Sequence, residues 1–305
     1  MNLRHQARSF LMQGANLTGA DALALIMQKN LRHSRAVVVA MHETPPSMEA
    51  QFRQQLEFAS KHFTITSLEA FAKLWEQDSE SDAVSKPLLL FTFDDGRESN
   101  YVVAAPLLEA FGGRGVFFIV PAFAEQAGTE KALAFYQTKM NPDSKPGDEE
   151  VEDWKPMSPV QIADLANRGH AIGSHTLTHA RLIGLTPETL EREIGESARQ
   201  LMAWTKKPVD AFAWTFGWDV IDVHAWRTIQ KYHRYCFAPC AGAIHPDREH
   251  PSLLWRREIE TRYTKAEYQF CYSGLVDLWW RNRRAQLRDR LRGTSAGKSK
   301  SLFVE

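Results

Sequence analysis

The feature that most restricts how this chain can fold is a recurring pattern: a short apolar run, then at once a polar residue, then an amphipathic stretch. The runs are Ala36–Met41 before His42, Pro87–Phe93 before Asp94-Asp95-Gly96, Gly115–Val120 before Pro121, and Ala171–Gly173 before Ser174-His175. Ala211–Trp214 before Thr215 and Tyr235–Ala238 repeat the pattern. Such runs, rich in β-branched and aromatic residues and without polar alternation, suit strands buried on both faces. Helical spacing fills the intervals at 48–60, 67–77, 100–111, 158–168, 187–205 and 221–232, and Ser158-Pro159 supplies an N-cap and first helical residue. Strand alternating with helix predicts a parallel sheet, open or closed into a barrel. In either arrangement the site forms at the carboxyl ends of the strands, where His42, Asp94, Asp95, His175 and His179 all stand.

With 37 basic and 37 acidic side chains the chain has no net field for drawing in nucleic acid, which excludes that class of partner. The zero is an average, because acid concentrated near 143–153 offsets a basic terminus beyond Arg281. Cys236, Cys240 and Cys271 are odd in number with no C-x-x-C spacing, so a reducing compartment is expected. No apolar window approaches the ~18 residues of a membrane span, and the first residues lack a signal-peptide core, giving a cytoplasmic expectation. Residues 1–33 read as a helical flank, and 124–157 as an exposed insertion rich in turn formers at Asn141–Glu150. Residues 34–272 then form the main domain, and 273–305 a basic helix and tail.

Two motifs bear chemistry. Thr92-Phe-Asp-Asp-Gly96 puts adjacent carboxylates at a strand end, and since consecutive strand residues face opposite ways, both reach one site only where the chain bends. Gly96 permits the bend, so that one carboxylate can hold a cation while the other stays free as a base. His175-Thr-Leu-Thr-His179 carries two imidazoles four apart, a spacing suited to chelation. Two His and one carboxylate make a complete three-ligand set for a catalytic zinc, with open positions for water and substrate. A glycosidase using Asp94 and Asp95 as its pair is disfavoured, because neighbours in one turn cannot readily flank a glycosidic bond.

Together with Gly169-His-Ala-Ile-Gly-Ser174, the strand Gly115-Val-Phe-Phe118 and Phe212-Ala-Trp-Thr-Phe-Gly217, these motifs resemble the polysaccharide deacetylases of the NodB-homology type, carbohydrate esterase family 4. The likeness runs from about Val37 to Glu260 and implies a distorted (β/α)7 barrel with N- and C-terminal helical flanks. It also implies hydrolysis of N- or O-acetyl groups on a polysaccharide, oligosaccharide or glycoconjugate by attack of a water on a divalent metal, Zn2+ above all. Carried over by position, Asp94 would be the catalytic base, with Asp95, His175 and His179 as metal ligands.

Many members carry their catalytic His in a Leu-x-His motif near the C-terminus, and none follows His179 here. A circularly permuted subset, similar to poly-N-acetylglucosamine deacetylases, places the acid on the first strand, where His42 stands. That subset also orients its base with an Arg on a late strand, which Leu253–Ile259 would supply as Arg256 or Arg257; alternation favours Arg256, facing the site with Glu258. Phe216, Gly217 and Trp218 fall where the family's aromatic-Pro-aromatic-Gly segment holds the oxyanion, although Thr215 replaces the Pro. Trp214 or Trp218 would stack on sugar. The C-terminal helix, with Trp279, Trp280 and a basic face, offers peripheral contact with an anionic membrane or else simply caps the barrel. The alternatives in function are a related metal-dependent amide hydrolase acting on a small non-sugar or nucleotide-sugar substrate, and a catalytically silent glycan-binding module. The second would be expected to lack a base or a ligand, and none is missing.

Overall fold

A computed structural model describes residues 14–15, 17–20, 24–25, 36–76, 86–142 and 153–292. Its strands are β1 (Ala36–Met41), β2 (Thr64–Ile65), β3 (Leu88–Phe93), β4 (Val116–Ile119), β5 (Ala171–Ser174), β6 (Ala211–Ala213), β7 (Tyr235–Ala238), β8 (Ala243–Ile244), β9 (Leu254–Trp255) and β10 (Arg257–Glu258). Its helices are α1 (Glu49–His62), α2 (Leu68–Ala72), α3 (Ala105–Ala110), α4 (Pro121–Ala124), α5 (Lys131–Phe135), α6 (Pro159–Asn167), α7 (Pro187–Leu190), α8 (Ser197–Thr205), α9 (Val223–Tyr232), α10 (Lys265–Ser273) and α11 (Val276–Arg292). Every apolar run marked in the sequence forms a strand, and α6 begins at the expected cap: Ser158 Oγ accepts from the Gln161 N–H, and Gln161 returns a bond to the Ser158 N–H.

The strands pair in parallel in the order β1-β3-β4-β5-β6-β7-β9, and β10 returns to β1. One short segment makes that closure. Leu254 and Trp255 pair with Phe237 and Ala238 of β7, whereas Arg257 and Glu258, three residues on, pair with Val39 and Ala40 of β1. Residues 254–258 are therefore the seventh stave of the expected distorted (β/α)7 barrel, and Arg256 sits where the pairing changes sides. Because the strands are staggered, the first halves of β1 and β3, which pair with each other, would each lack a second partner; β8 pairs with Ala36 and Val37, and β2 with Leu88 and Leu89.

Alternate residues of β1 and β3 divide between two cores. Val37, Val39, Met41, Leu89, Phe91 and Phe93 pack outward with Phe52 and Leu56 of α1, while Ala36, Val38, Leu90 and Phe118 share the other core. Each fully buried Leu or Phe contributes roughly 1.5–3 kcal/mol of transfer free energy, which fixes the strand register and with it the side chains at the strand ends.

Three observations bear on the flanks and the insertion. Of residues 1–33 only eight are described; Gly14, Ala15, Leu17, Ala20, Ala24 and Leu25 are helical, Leu25 is buried in the outer core, and the rest of that expected helical flank, apart from Thr18 and Gly19, lies outside the described residues. The segment 124–157 is not exposed throughout: α5 and a following π-turn, Tyr136–Met140, place Ala132, Tyr136 and Met140 at helical spacing against Phe123, while Asp153 and Met157 are buried. The turn-rich stretch itself, 143–152, is outside the described residues. Finally, α11 is tied to the barrel: Leu287 and Leu291 are fully buried, Arg257 forks onto Asp277, Arg284 donates to the Ala241 carbonyl, and Arg288 pairs with Glu249. This helix caps the barrel, and the basic tail after 292 lies outside the described residues. No helix among the described residues is long and apolar enough to cross a membrane.

Candidate active site

The chain turns sharply after β3. Asp95 has φ 75° and Gly96 φ 72°, so the bend begins at the second carboxylate itself, not only at the glycine that permits it. Among the described residues five non-glycine positions have positive φ, and four of them, Asp95, Thr176, His179 and Phe216, surround one point at the barrel mouth. Such backbones cost about 1–3 kcal/mol each and persist only where the neighbours hold them. The neighbours are identifiable. The Leu177 and Thr178 N–H groups donate to the Glu193 carbonyl and carboxylate, the Ala180 N–H donates to Thr176 Oγ1, and Thr215 Oγ1 donates to the Ala180 carbonyl. Thr215, standing where the related families have Pro, thereby stitches its own loop to the His loop.

The bend lets the two carboxylates part. Asp94 is buried and gripped by Arg256 through a fork, Nη1 to Oδ1 at 2.6 Å and Nη2 to Oδ2 at 2.9 Å, and Arg256 Nη1 also donates to Thr92 Oγ1. Burial, the largest single influence, would raise the Asp94 pKa, but Arg256, helped by His175 and His42, holds the carboxyl below its ordinary range. Arg257, the other candidate, faces away, on Asp277 and the Tyr272 carbonyl. Glu258 lines the cleft as expected from its alternation with Arg256.

Asp95 points the other way, its Oδ1 3.7 Å from His175 Nε2 and 3.6 Å from His179 Nε2. One atom from each of the three residues lies within 4.8 Å of the other two. The imidazoles are set for ligation. His175 Nδ1–H donates to the Ala213 carbonyl and His179 Nδ1–H to the Lys139 carbonyl, which leaves both Nε2 lone pairs directed at the Asp95 oxygen. Burial lowers both pKa values, His179 to about 4, so the rings are neutral, the form a metal requires. The donor set, one carboxylate and two oriented neutral imidazoles, fits a divalent metal of zinc type.

His42, at the end of β1, faces Asp94 from the opposite side, Nε2 to Oδ2 at 4.0 Å. Its Nδ1 is 2.6 Å from Glu260 Oε1. Burial would lower the imidazole pKa, yet Glu260 together with the two aspartates raises it to about 10, so that the ring is protonated at neutral pH. The loop beneath is fixed by Asn100 Nδ2 donating to the His42 carbonyl and Thr44 Oγ1 donating to Asn100 Oδ1.

Sequence reasoning missed two charged groups. Glu260 directly orients His42. Arg97 donates to Asp95 Oδ2 at 3.1 Å and also reaches Glu43, the Tyr136 hydroxyl and the Asp153 carbonyl. Against the upward push of burial, Arg97 keeps Asp95 well below the usual carboxylate range, and it ties up the oxygen that does not face the imidazoles. Neither residue has a spacing signature, but each is a charge directly beyond a strand end, and that position was the available signal. Of the expected oxyanion and substrate residues, Phe216 lines the cleft, its ring 4.7 Å from His179. Gly217 and Trp218 stand behind the lining, Trp218 against Arg283, and it is Trp214 that reaches the cleft. The cleft has a volume of about 1300 Å3 and runs from Tyr136 and Trp154 on one side to Trp279 and Trp280 on the other.

Comparison with known proteins agrees with this arrangement. The profile of the family called Polysaccharide deacetylase matches residues 81–233, half of the chain. A Bacillus subtilis protein, YxkH, named as a candidate polysaccharide deacetylase, is 27% identical over 136 residues; the match spans 45% of this chain and 38% of the length of that relative. Among solved structures, the deacetylase PplD of Streptococcus pyogenes, determined with acetate, superposes with a TM-score of 0.57 at 16% identity, covering 77% of this chain and 96% of that one. IcaB from Ammonifex degensii gives a TM-score of 0.58 at 17% identity, covering 79% and 97%. At these identities the structural likeness is one of fold.

Proposed function

The chain belongs to the polysaccharide deacetylase family, and from that premise we propose that it is a metal-dependent hydrolase removing acetyl groups from an acetylated glycan. The observation that carries this reading is the separation of two adjacent carboxylates onto opposite duties: Asp94 forked to Arg256, and Asp95 turned toward His175 and His179. Asp95 Oδ1, His175 Nε2 and His179 Nε2 would hold the metal. When bound, a divalent ion of zinc type polarises the acetyl carbonyl and acidifies a water.

The protein's own groups do the rest. Asp94, kept anionic and oriented by Arg256, takes a proton from the attacking water as its oxygen adds to the acetyl carbon. Phe216, which lines the cleft beside His179, is the member of the expected oxyanion segment placed to support the carbonyl oxygen as negative charge gathers there. His42, protonated through Glu260, gives its Nε2 proton to the departing nitrogen as the carbon–nitrogen bond breaks, leaving acetate and an amine; an acetyl ester would leave an alcohol in the same way. A cleft of about 1300 Å3 exceeds the common range of small-ligand pockets, roughly 300–1000 Å3, and favours an oligomeric or polymeric glycan over a single nucleotide-linked sugar. The presence of base, ligands and acid together disfavours a silent binding module. A cytoplasmic setting, suited to three buried cysteines, belongs to the same proposal.

The test is acetate release by the zinc-loaded protein from acetylated oligosaccharides, with Asp94→Asn and His42→Gln as variants. Losses of about 10²–10⁴ in kcat with unchanged metal content are expected for both. Near wild-type turnover in either variant would remove that residue from the chemistry, and no release from any acetylated sugar would sink the reading.

A further inference from the structure

One motif is left unused by this mechanism. Trp279 and Trp280, adjacent in α11, both line the cleft that holds Asp94 and His42. Trp279 is 44% exposed, and its ring is backed by Phe270 of α10 with centroids 5.0 Å apart. Trp280 is half-buried, and the Arg283 guanidinium lies 4.7 Å above its ring and 5.5 Å from that of Trp218. Among the described residues Arg283 forms no ion pair, and it lines the cleft with its N–H donors not engaged by a carboxylate. The helix is rigidly placed, since the Arg257–Asp277 fork at 2.9 and 2.7 Å fixes its first turn and Leu287 and Leu291 are fully buried. An exposed aromatic ring with one side supported, a second ring beside it and an unpaired guanidinium is the combination that receives a sugar: apolar C–H faces on the rings, hydroxyl and acetyl oxygens on the donors.

We propose that the Trp279–Trp280–Arg283 face of α11 is a subsite for a neighbouring unit of the glycan, so that the substrate is an acetylated chain recognised over several sugars. The proposal rests on the deacetylase reading above and specifies the substrate for the same cleft. A membrane is the rival occupant, since Leu278 beside Trp279 is 68% exposed. Charge argues against it. Arg284 and Arg288 are spent on the barrel, and Arg290 donates to the Ile221 carbonyl, which ties half of the six arginines of α11 to the protein rather than leaving them for an anionic bilayer. The rings, moreover, open into the reacting cleft.

The experiment measures kcat/KM for acetate release from β-linked N-acetylglucosamine oligomers of one to six units, and from 4-nitrophenyl acetate, with wild type, Trp279→Ala and Trp279→Phe. Wild-type kcat/KM is expected to climb with chain length. Trp279→Ala removes about ten-fold from the longer oligomers, equivalent to ~1.4 kcal/mol, with the loss falling in KM, and leaves 4-nitrophenyl acetate unchanged. Trp279→Phe restores most of it. A wild-type rate without length dependence, or a Trp279→Ala loss equal on every substrate, overturns the subsite while leaving the deacetylase reading standing. No release from any substrate overturns both. In parallel, cosedimentation with phosphatidylcholine–phosphatidylglycerol vesicles is expected to be the same for wild type and Trp279→Ala. A selective loss of vesicle binding with an intact length profile would assign the face to a membrane instead.

Discussion

Arg256→Met tests the claim that the base is held by a buried ion pair. The two side chains are nearly inaccessible, 2% and 5% exposed, and are joined by two short parallel contacts. Removing one partner of such a pair strands the other charge and costs about 3–5 kcal/mol, far above the 0–1 kcal/mol typical of a surface bridge. At the ~2 °C per kcal/mol expected for a chain of this length, the melting temperature should fall by roughly 6–10 °C at pH 7. Asp94→Asn/Arg256→Met removes the stranded carboxylate and should recover at least ~2 kcal/mol relative to the sum of the single losses. Because the fold lowers the Asp94 pKa, the stabilisation from the pair is present above the ordinary carboxylate value near 3.9 and is lost as pH falls through the lowered one. The deficit of the variant should therefore be largest at neutral pH, begin to shrink as pH falls through the raised pKa that burial gives the stranded Asp94, and shrink further below roughly pH 4 as the wild-type pair is lost. In turnover, loss of the guanidinium raises the Asp94 pKa, moving the acidic limb of kcat/KM toward higher pH. Scanning calorimetry and a pH–rate profile make these measurements. A melting shift below 2 °C, or additive losses in the double variant, would refute the reasoning.

Other outcomes follow from neighbouring features. Arg97→Gln frees the second oxygen of Asp95 and should weaken zinc binding by about 10–100-fold in competition with a chromophoric chelator, while chelation of the metal from wild type should abolish acetate release. His170 is buried with a lowered pKa, because burial outweighs Glu109; its Nδ1 accepts from the Gly115 N–H. Its stabilising effect is thus fully present above about pH 6.5 and is lost on acidification, and the gap in urea midpoint between wild type and His170→Asn should narrow from pH 7 to pH 5. Gly173→Ala would set a Cβ 2.4 Å from the Phe118 ring and 3.0 Å from the Ala211 carbonyl, so circular dichroism melts should show a loss of about 1–3 kcal/mol or more.

The barrel was legible because each stave is apolar on both faces and each is followed immediately by the polar residue that the strand end presents. His42, Asp94, Asp95, His175 and His179 needed no long-range information to be found, since both the strand pattern and their own spacing marked them. Arg256 was separable from Arg257 by alternation alone, and the fork to Asp94 lies on the expected face. What the sequence hid were single charges whose meaning depends on distant partners. Glu260 acquires its role only once residues 218 positions apart are brought together, and Arg97 only once the segment carrying Tyr136 folds over the mouth. Turn formers at Asn141–Glu150 obscured the helical spacing of Ala132, Tyr136 and Met140 just before them. Trp214 and Trp218 were equally open as sugar-stacking rings from sequence; of the two, the buried Trp214 lines the cleft, and Trp218 packs against Arg283.

The segment that closes the barrel has a consequence for how activity arises during synthesis. β1 is made well before residues 254–258, yet on the side away from β3 its upper half pairs only with Arg257 and Glu258. The same few residues deliver Arg256 to Asp94 and Glu260 to His42. Until they emerge, the growing chain has an open edge at β1, and the proposed base and acid, Asp94 and His42, lack the partners that orient and charge them, even with Asp95, His175 and His179 already in place. A partly made chain could thus collect metal without being able to hydrolyse anything, and the last stave acts as a clasp that completes the vessel and arms it in one step.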